Sequence, residues 1–373
     1  MKRRQFVIRS GFAAIALSAS NLSLAQVFRK VSNSNINIGI IGTGERGSEL
    51  ISYINQIPNF KIISCCDIIS ARLKDATDLI NNATTNYCDY RELLAQDNID
   101  AILIATPFNS HAKITNDALD AGKHVYCEST LAKGYYDISN ILNSTKNAKN
   151  IIQVGHQFRS SKLFNQVREL IKNGALGELS AFECKWNVNR DWVKKDTDQR
   201  LEKLINWRMY SEFSGGLTAE LCSHQLDFIN WILDKDPKKV EGKGTNDNSP
   251  DDYDIFDNIK LHYTYPNNII ANFSCKTNFE TESFEIKIIG NNGTIILDLE
   301  NASLIKNGHK TIIEVDYENP NVQALLNFKD SIYYGNIPLS NIVSGARTAI
   351  AVQMGIDALK TEKTTYWPSK LGV

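Results

Sequence analysis

The sequence predicts an α/β protein with two domains: a parallel-sheet domain over residues 27–155, and an α+β domain over 156–373 carrying a large open, mostly antiparallel sheet. Three observations predict it. Apolar strands alternate with helical stretches from Ile36 to Val154, a glycine-rich turn joins the first strand to the first helix, and strand-like runs split by turn residues dominate from Leu179 onward. A length of 373 residues also exceeds what one core usually supports.

In the first domain, Ile36–Ile41 is an apolar strand, Gly47–Gln56 a helix and Lys61–Cys66 the next strand. Ala71–Asn81 has helical spacing, Ala101–Ala105 is a short buried strand, and Ala112–Ala121 is a helix stopped by Gly122. His124–Cys127, Tyr136–Asn147 and Ile151–Val154 read as strand, helix and strand. Such alternation implies right-handed crossovers and a parallel sheet. After the helix Leu163–Lys172, closed by Asn173-Gly174, the strands are Leu179–Asn187, Asn258–Tyr265, Ile269–Lys276, Phe284–Ile289 and Thr294–Leu299. Pro266-Asn267-Asn268 and Asn291-Asn292-Gly293 serve as hairpin turns between them. A helical stretch, Thr218–Leu233, interrupts the strands, and Gly345–Thr361 forms a final helix.

Charge and cysteine usage narrow the partners. The chain has 41 basic and 42 acidic residues with no block of either sign, which removes the electrostatic case for nucleic acid and leaves a small molecule. Seven cysteines form no CxxC pair and sit mostly in apolar runs, so they read as buried thiols rather than metal ligands or a disulfide framework. At the amino terminus, Arg3-Arg4 precede Phe6, a short apolar stretch Gly11–Leu17 and the small-residue site Ser23-Leu24-Ala25. This resembles a twin-arginine export signal over residues 1–25, cleaved near Ala25, and implies a periplasmic protein. At roughly ten residues the apolar run falls short of the ~20 that span a bilayer, so no stable membrane association is expected after processing.

The turn Gly42-Thr43-Gly44-Glu45-Arg46-Gly47 puts a GxGxxG between a strand and a helix. Gly42 permits the tight turn, Gly44 lets backbone approach a pyrophosphate, and Gly47 allows close helix packing. Asp67 ends the next strand, 25 residues beyond Gly42, where a carboxylate accepts from a ribose 2′-hydroxyl and repels a 2′-phosphate. The reading is a Rossmann-type site for NAD, with Arg72 the one residue that argues for NADP. Ligands of open α/β sheets lie beyond the carboxyl ends of the strands. Two loops at those ends, Thr106-Pro107-Phe108-Asn109 with His111, and Glu128-Ser129, therefore flank the cofactor. Phe108 is expected to stack on it and Glu128 to accept from a ribose; His111 reads as a cap or packing group rather than a catalyst.

The segments GTGERG, ATPFNSH, CESTLAKG, VGHQFRSS and GGLTAELCSHQLDFINW, in that order, resemble the glucose-fructose oxidoreductase and inositol dehydrogenase (Gfo/Idh/MocA) family. The resemblance implies a sugar-active, NAD-dependent enzyme with substrate in the cleft between the domains. It also implies that Glu220 and His224 are the catalytic acidic residue and histidine, His224 taking the hydroxyl proton while a carbinol hydride leaves. Their i,i+4 spacing puts both on one helix face, where Glu220 is expected to orient the imidazole or raise its pKa. Gln157 is counted with the cofactor residues. Together with Arg159, Trp186, Asn187, Arg190, Trp192, Trp207, Arg208 and Tyr210 it also forms a wall rich in the aromatic and hydrogen-bonding groups that bind sugars.

One departure from the family pattern matters. Where that pattern has Glu-Lys-Pro, this chain has Glu128-Ser129-Thr130, so the usual cation beside the substrate oxygen is missing. Family members lacking the lysine include NAD-dependent glycosidases, which oxidise a sugar carbon, eliminate the aglycone and reverse the steps with water. An exported enzyme has no replenished pool of NAD, which favours the same closed cycle with a retained cofactor. The expected activity is therefore glycoside cleavage by oxidation, elimination and reduction; net sugar or polyol oxidation, or a non-catalytic binding protein, are the alternatives. A homo-oligomer is expected to form through the open sheet, whose apolar faces and edges need cover.

Overall fold

The computed structural model describes residues 34–80, 83–146, 148–189, 192–194, 198–247 and 252–369. The export-signal reading at residues 1–25 lies outside them, as does Arg190. Six strands make the first sheet: β1 (Ile36–Ile41), β2 (Phe60–Cys66), β3 (Thr85–Tyr87), β4 (Ala101–Ile104), β5 (His124–Cys127) and β6 (Ile152–Val154). They are all parallel, in the order β3-β2-β1-β4-β5-β6. Ala101–Ile104 are completely buried, as a strand covered on both faces must be. The helices α1 (Glu45–Ile54), α2 (Ser70–Leu79), α3 (Tyr90–Leu94), α4 (His111–Asp120) and α5 (Tyr135–Thr145) connect them. Strand order reverses between β1 and β4, so the loops leaving these two strands diverge and open a crevice at their carboxyl ends.

α6 (Lys162–Lys172) leads into the second sheet, which has nine strands rather than the five read from the sequence. These are β7 (Leu179–Asn187), β8 (Lys239–Thr245), β9 (Asn258–Thr264), β10 (Ile270–Lys276), β11 (Ser283–Gly290), β12 (Gly293–Leu297), β13 (Ala302–Lys306), β14 (His309–Ile313) and β15 (Thr365–Tyr366). Their order is β14-β13-β12-β11-β7-β10-β9-β8-β15, antiparallel except for the β7–β10 pair. One short helix, α7 (Glu202–Ile205), lies in the excursion between β7 and β8, followed by α8 (Ser223–Leu233); α9 (Pro320–Tyr334) and α10 (Ile342–Thr361) come after the last hairpin. α10 packs on α8 and β8, covering one face of the sheet with small buried residues such as Ala346, Ala349 and Ala351. The opposite face is a shallow hollow of about 650 Å³ lined by Glu183, Lys185, Glu241, Lys260, His262 and Glu285. That corrects the expected apolar face: the alternation of β9 and β10 turns their apolar residues to the helices and charged or polar ones outward.

α9 turns back to the first domain. Pro320 opens it, Asn319 caps it by accepting from the Asn321 backbone N–H, and Leu325 and Phe328 insert fully buried into the cluster formed by Ile38, Ile40, Leu50 and Ile54. Phe328 meets the buried Tyr126 ring edge-on at 5.8 Å. Residues far beyond 155 thus help build the first core. Phe328→Ala is expected to lower unfolding stability by about 3–5 kcal/mol in urea titration, a loss that a helix merely lying on the surface would not produce.

Candidate active site

At the turn after β1, Gly42 has φ of +90°, and a Cβ there would sit 2.5 Å from the Ala105 carbonyl oxygen. A Cβ on Gly47 would approach the Gly42 carbonyl oxygen to 2.0 Å. Both positions therefore require glycine. No side chain caps α1, whose amino terminus faces the crevice. The Asp67 carboxylate is fixed by the backbone: Thr43 N–H donates to Oδ2 at 2.8 Å and Ile69 N–H to Oδ1 at 2.9 Å, with the Thr43 hydroxyl at 3.3 Å from Oδ2. A cavity of about 620 Å³ runs along this turn, lined by Gly42, Gly44, Glu45, Arg46, Asp67, Thr106, Pro107, Asn109, Trp207 and Arg208. Arg72 also lines it, its guanidinium beside Gly44. Thr43 and Gly47 do not line it. A glycine cradle, an uncapped helix and a buried carboxylate fit a dinucleotide.

A smaller cavity of about 200 Å³ adjoins it, sharing Arg46, Thr106, Trp207 and Arg208 and adding Phe108, His111, Glu128, Ser129, Gln157, Glu220 and His224. Gln157 Oε1 has no hydrogen-bond partner among the described residues. The Glu128 carboxylate accepts from Arg46 Nε at 2.8 Å. Arg46 also donates to Glu49 and to Asn321 of α9, each at 2.8 Å. Phe108 is buried, edge-on to His111 at 6.1 Å, rather than open for stacking.

His224 turns Nε2 toward Ser129 Oγ, 3.3 Å away. Burial first, then His156 and Arg46, push its imidazole down to about 3, with Asp227 pulling the other way. The ring is neutral at any ordinary pH, its Nε2 facing the Ser129 hydroxyl, and a proton it takes up is readily given back. Glu220 does not act on it as the spacing suggested. Both side chains line the smaller cavity, but in the π-helical turn Thr218–Cys222 that precedes α8 the Glu220 carboxylate is taken by Arg208, whose Nε donates to Oε2 at 2.9 Å. The carboxylate that acts on His224 is Asp227.

Asp227 belongs to a buried cluster that sequence reasoning missed. Arg159 donates to both its oxygens, Nε at 2.8 Å and Nη2 at 3.0 Å, and the Thr348 hydroxyl donates at 3.0 Å. His156 Nδ1 lies 3.6 Å from Asp227 Oδ1, and the His156 ring stands edge-on to His224 at 5.8 Å. Arg159 is accordingly a structural partner of Asp227 and lines neither cavity, against expectation. Trp186 packs behind His224 at 5.9 Å, Asn187 is buried at the end of β7, and Tyr210 donates its hydroxyl to Glu202 at 2.5 Å; none of the three reaches the cavities, and Trp192 packs on the core. Of the expected sugar wall, Gln157, Trp207 and Arg208 face the site, the Arg208 guanidinium lying 4.5 Å over the Trp207 ring.

A strap between β7 and α8 roofs the larger cavity with Lys194, Leu204, Ile205, Trp207 and Phe213. Asn206 bridges its two arms, accepting from Lys194 N–H at 2.7 Å. Asn109 N–H donates to the Phe213 carbonyl at 3.1 Å, and Lys133 Nζ donates to the carbonyls of Ser211 and Glu212, tying the strap to both loops of the first domain. Among the described residues no group of three or more His, Cys, Asp or Glu could hold a metal ion, and no helix is long and apolar enough to cross a membrane.

Residues 36–156 match a family described as "Oxidoreductase family, NAD-binding Rossmann fold", and residues 164–296 match the "GFO/IDH/MocA C-terminal domain". Inositol 2-dehydrogenase of Salmonella typhimurium is 26% identical over 209 residues, which is 55% of this chain and 57% of that protein. The chain thus spans little more than half the length of that relative. 2,7-Anhydro-N-acetylneuraminate hydratase of Escherichia coli is 26% identical over 280 residues, covering 74% of this chain and 71% of the other. Among solved structures, levoglucosan dehydrogenase in complex with NADH and levoglucosan superposes with a TM-score of 0.77 at 16% identity, over 90% of this chain and 100% of the other, a likeness of fold.

The depressed His224 pKa has a consequence for stability. The unfolded chain binds a proton near the ordinary value of 6.5, whereas the folded site binds it only near 3. The His224 contribution is therefore complete above pH 6.5 and is lost as pH falls, with a slope approaching ~1.4 kcal/mol per pH unit. His224→Gln is expected to make the decline between pH 6.5 and 4 shallower by that amount in urea titrations at each pH; parallel curves would contradict the buried neutral ring.

Proposed function

The chain belongs to the GFO/IDH/MocA oxidoreductase family, and on that footing we propose that it is an exported, sugar-active enzyme that retains its NAD and cleaves a glycosidic bond by oxidation, elimination and reduction. The observation that carries the reading is His224 in the smaller cavity, neutral and aimed at an uncharged Ser129. An imidazole that releases its proton so readily is a poor permanent proton sink. It suits a cycle in which the proton is handed back before the turnover ends.

The glycine turn at Gly42 and Gly44 and the Asp67 carboxylate would hold the dinucleotide, which would supply reversible hydride acceptance next to the smaller cavity. His224 Nε2 accepts the hydroxyl proton of the substrate carbinol, and the Ser129 hydroxyl steers the approach from 3.3 Å. Arg208, held in place by Glu220, donates to sugar oxygens, and Trp207 offers a ring face. Oxidation would make the neighbouring C–H acidic; its proton would end on the departing aglycone oxygen, water would add across the resulting double bond, and return of the hydride would restore the alcohol with no net redox change. The strap favours retention, because its ties to Asn109 and Lys133 hold residues that line the larger cavity in place. The hydratase relative, named for adding water, favours such a cycle. The inositol dehydrogenase relative favours the second reading, net oxidation of a sugar or polyol.

Export by the paired arginines belongs to the proposal, since that route carries proteins already folded around a cofactor. So does a homo-oligomer, for which the charged open sheet face is the surface, with light scattering as its check.

Protein purified without added cofactor is expected to show NAD(H) in its ultraviolet spectrum. With aryl glycosides in deuterated water it is expected to release aglycone with deuterium at the carbon next to the oxidised centre. NADH accumulation without aglycone would establish net oxidation instead. His224→Ala is expected to slow turnover by about 10²–10⁴-fold while leaving the bound NAD(H) in place. Unchanged turnover in that variant would point to a binding protein.

A further inference from the structure

His111 opens α4, and its ring is wedged between two backbone carbonyls: Nδ1 lies 2.8 Å from the Thr130 oxygen and Nε2 lies 2.9 Å from the Thr106 oxygen. A carbonyl oxygen only accepts, and a neutral imidazole has a single N–H to give. The neutral ring would therefore press a bare lone pair against a carbonyl oxygen, in a site where the residue is 2% exposed. We propose that His111 is held as a doubly donating imidazolium, a cation lining the smaller cavity that no carboxylate pairs with.

The surrounding charges sharpen the point. The other two cations lining that cavity are paired with carboxylates, Arg46 with Glu128 and Glu49, and Arg208 with Glu220. Both ring nitrogens of His111 meet neutral carbonyls. From its own helix the ring faces the positive end of the α4 dipole, which opposes the charge. From the preceding turn it faces the Phe108 edge, from β5 the Cys127 side chain, and from the following loop the Thr130 carbonyl. His224 and Glu220 complete the lining. Burial works against protonation, while Cys127 and then the Thr130 and Thr106 carbonyls outweigh it, holding the group at about 9.

His111 and His224 thus line one small cavity in opposite charge states. Beside an uncharged Ser129, the imidazolium favours negative charge developing on an oxygen in the cavity. It also weighs a nicotinamide in the adjoining cavity toward its reduced, neutral form, because the oxidised ring carries a positive charge. This role rests on the reading of the cavity as the reaction site; the charge state does not.

The test is nitrogen-15 NMR of protein labelled at its six histidines, followed from pH 6 to 10, with the His111 signals assigned by His111→Asn. Both ring nitrogens are expected to be protonated at pH 7.5 and to titrate only near pH 9; one unprotonated nitrogen at pH 7.5 overturns the proposal. If His111→Asn does not fold, substitutions at His124, His156, His224, His262 and His309 assign the signals by elimination. In cofactor-stripped protein, His111→Asn is expected to reduce the preference for NADH over NAD⁺ by about tenfold, the scale of one nearby charge. An imidazolium whose removal leaves that ratio unchanged overturns its role as the cavity's cation. A failure to cleave aryl glycosides would count against the proposed activity alone and leave both outcomes standing.

Discussion

The guanidinium of Arg46 holds together three segments that are remote in sequence. It reaches Glu128 after β5, Glu49 one turn along its own helix and Asn321 at the start of α9, all at 2.8 Å. Burial works against its charge, and Glu128, Tyr126 and Glu49 together more than restore it. Such a pair is expensive to break, because removing either partner strands the other in a poorly solvated place. The bridge fixes the glycine turn relative to the loop bearing Ser129, and so fixes where the two cavities meet. It also occupies the carboxylate that the sequence suggested for a ribose, and its positive charge helps keep His224 deprotonated.

The two histidines of the smaller cavity show how little burial alone decides. Both are buried, yet one is driven toward the neutral form and the other toward the charged form. The difference lies in what each ring touches. His224 has a hydroxyl on one side and the His156 ring on another, with Arg46 close by, and the pull of Asp227 is too small to reward a second N–H. His111 has an acceptor at each nitrogen and the Cys127 side chain beside it. A proton acceptor and a fixed positive charge can therefore coexist within one small space without a lysine.

The first sheet was legible in outline because parallel strands buried on both faces are short apolar runs bounded by turn residues, and the GxGxxG with Asp67 located its crevice. Strands β8 and β14 were not legible. Lys239–Thr245 carries two lysines, a glutamate and two glycines, and His309–Ile313 is an exposed edge, so neither shows apolar alternation. In the site, the motifs located His224, Ser129 and Glu220, but neither the π-helical turn nor the pairing of Glu220 with Arg208 leaves a trace in residue spacing. His156 and Asp227 lay within the recognised segments and still escaped notice. A buried His–Asp–Arg cluster is assembled by long-range packing, with Arg159 and Asp227 separated by 68 positions. The wall of tryptophans and arginines was over-read for the same reason: density in sequence does not say which side chains turn outward.

The return of α9 bears on how the molecule is made. Leu325 and Phe328 complete the core beneath the glycine turn, and Asn321 completes the Arg46 bridge. During synthesis, the nucleotide-binding half therefore stays unfinished until nearly the whole chain has left the ribosome. Neither half is a module that recombination could move by cutting near residue 155. A lineage inheriting this architecture inherits both halves together, and nucleotide capture becomes a late step that certifies a completed chain.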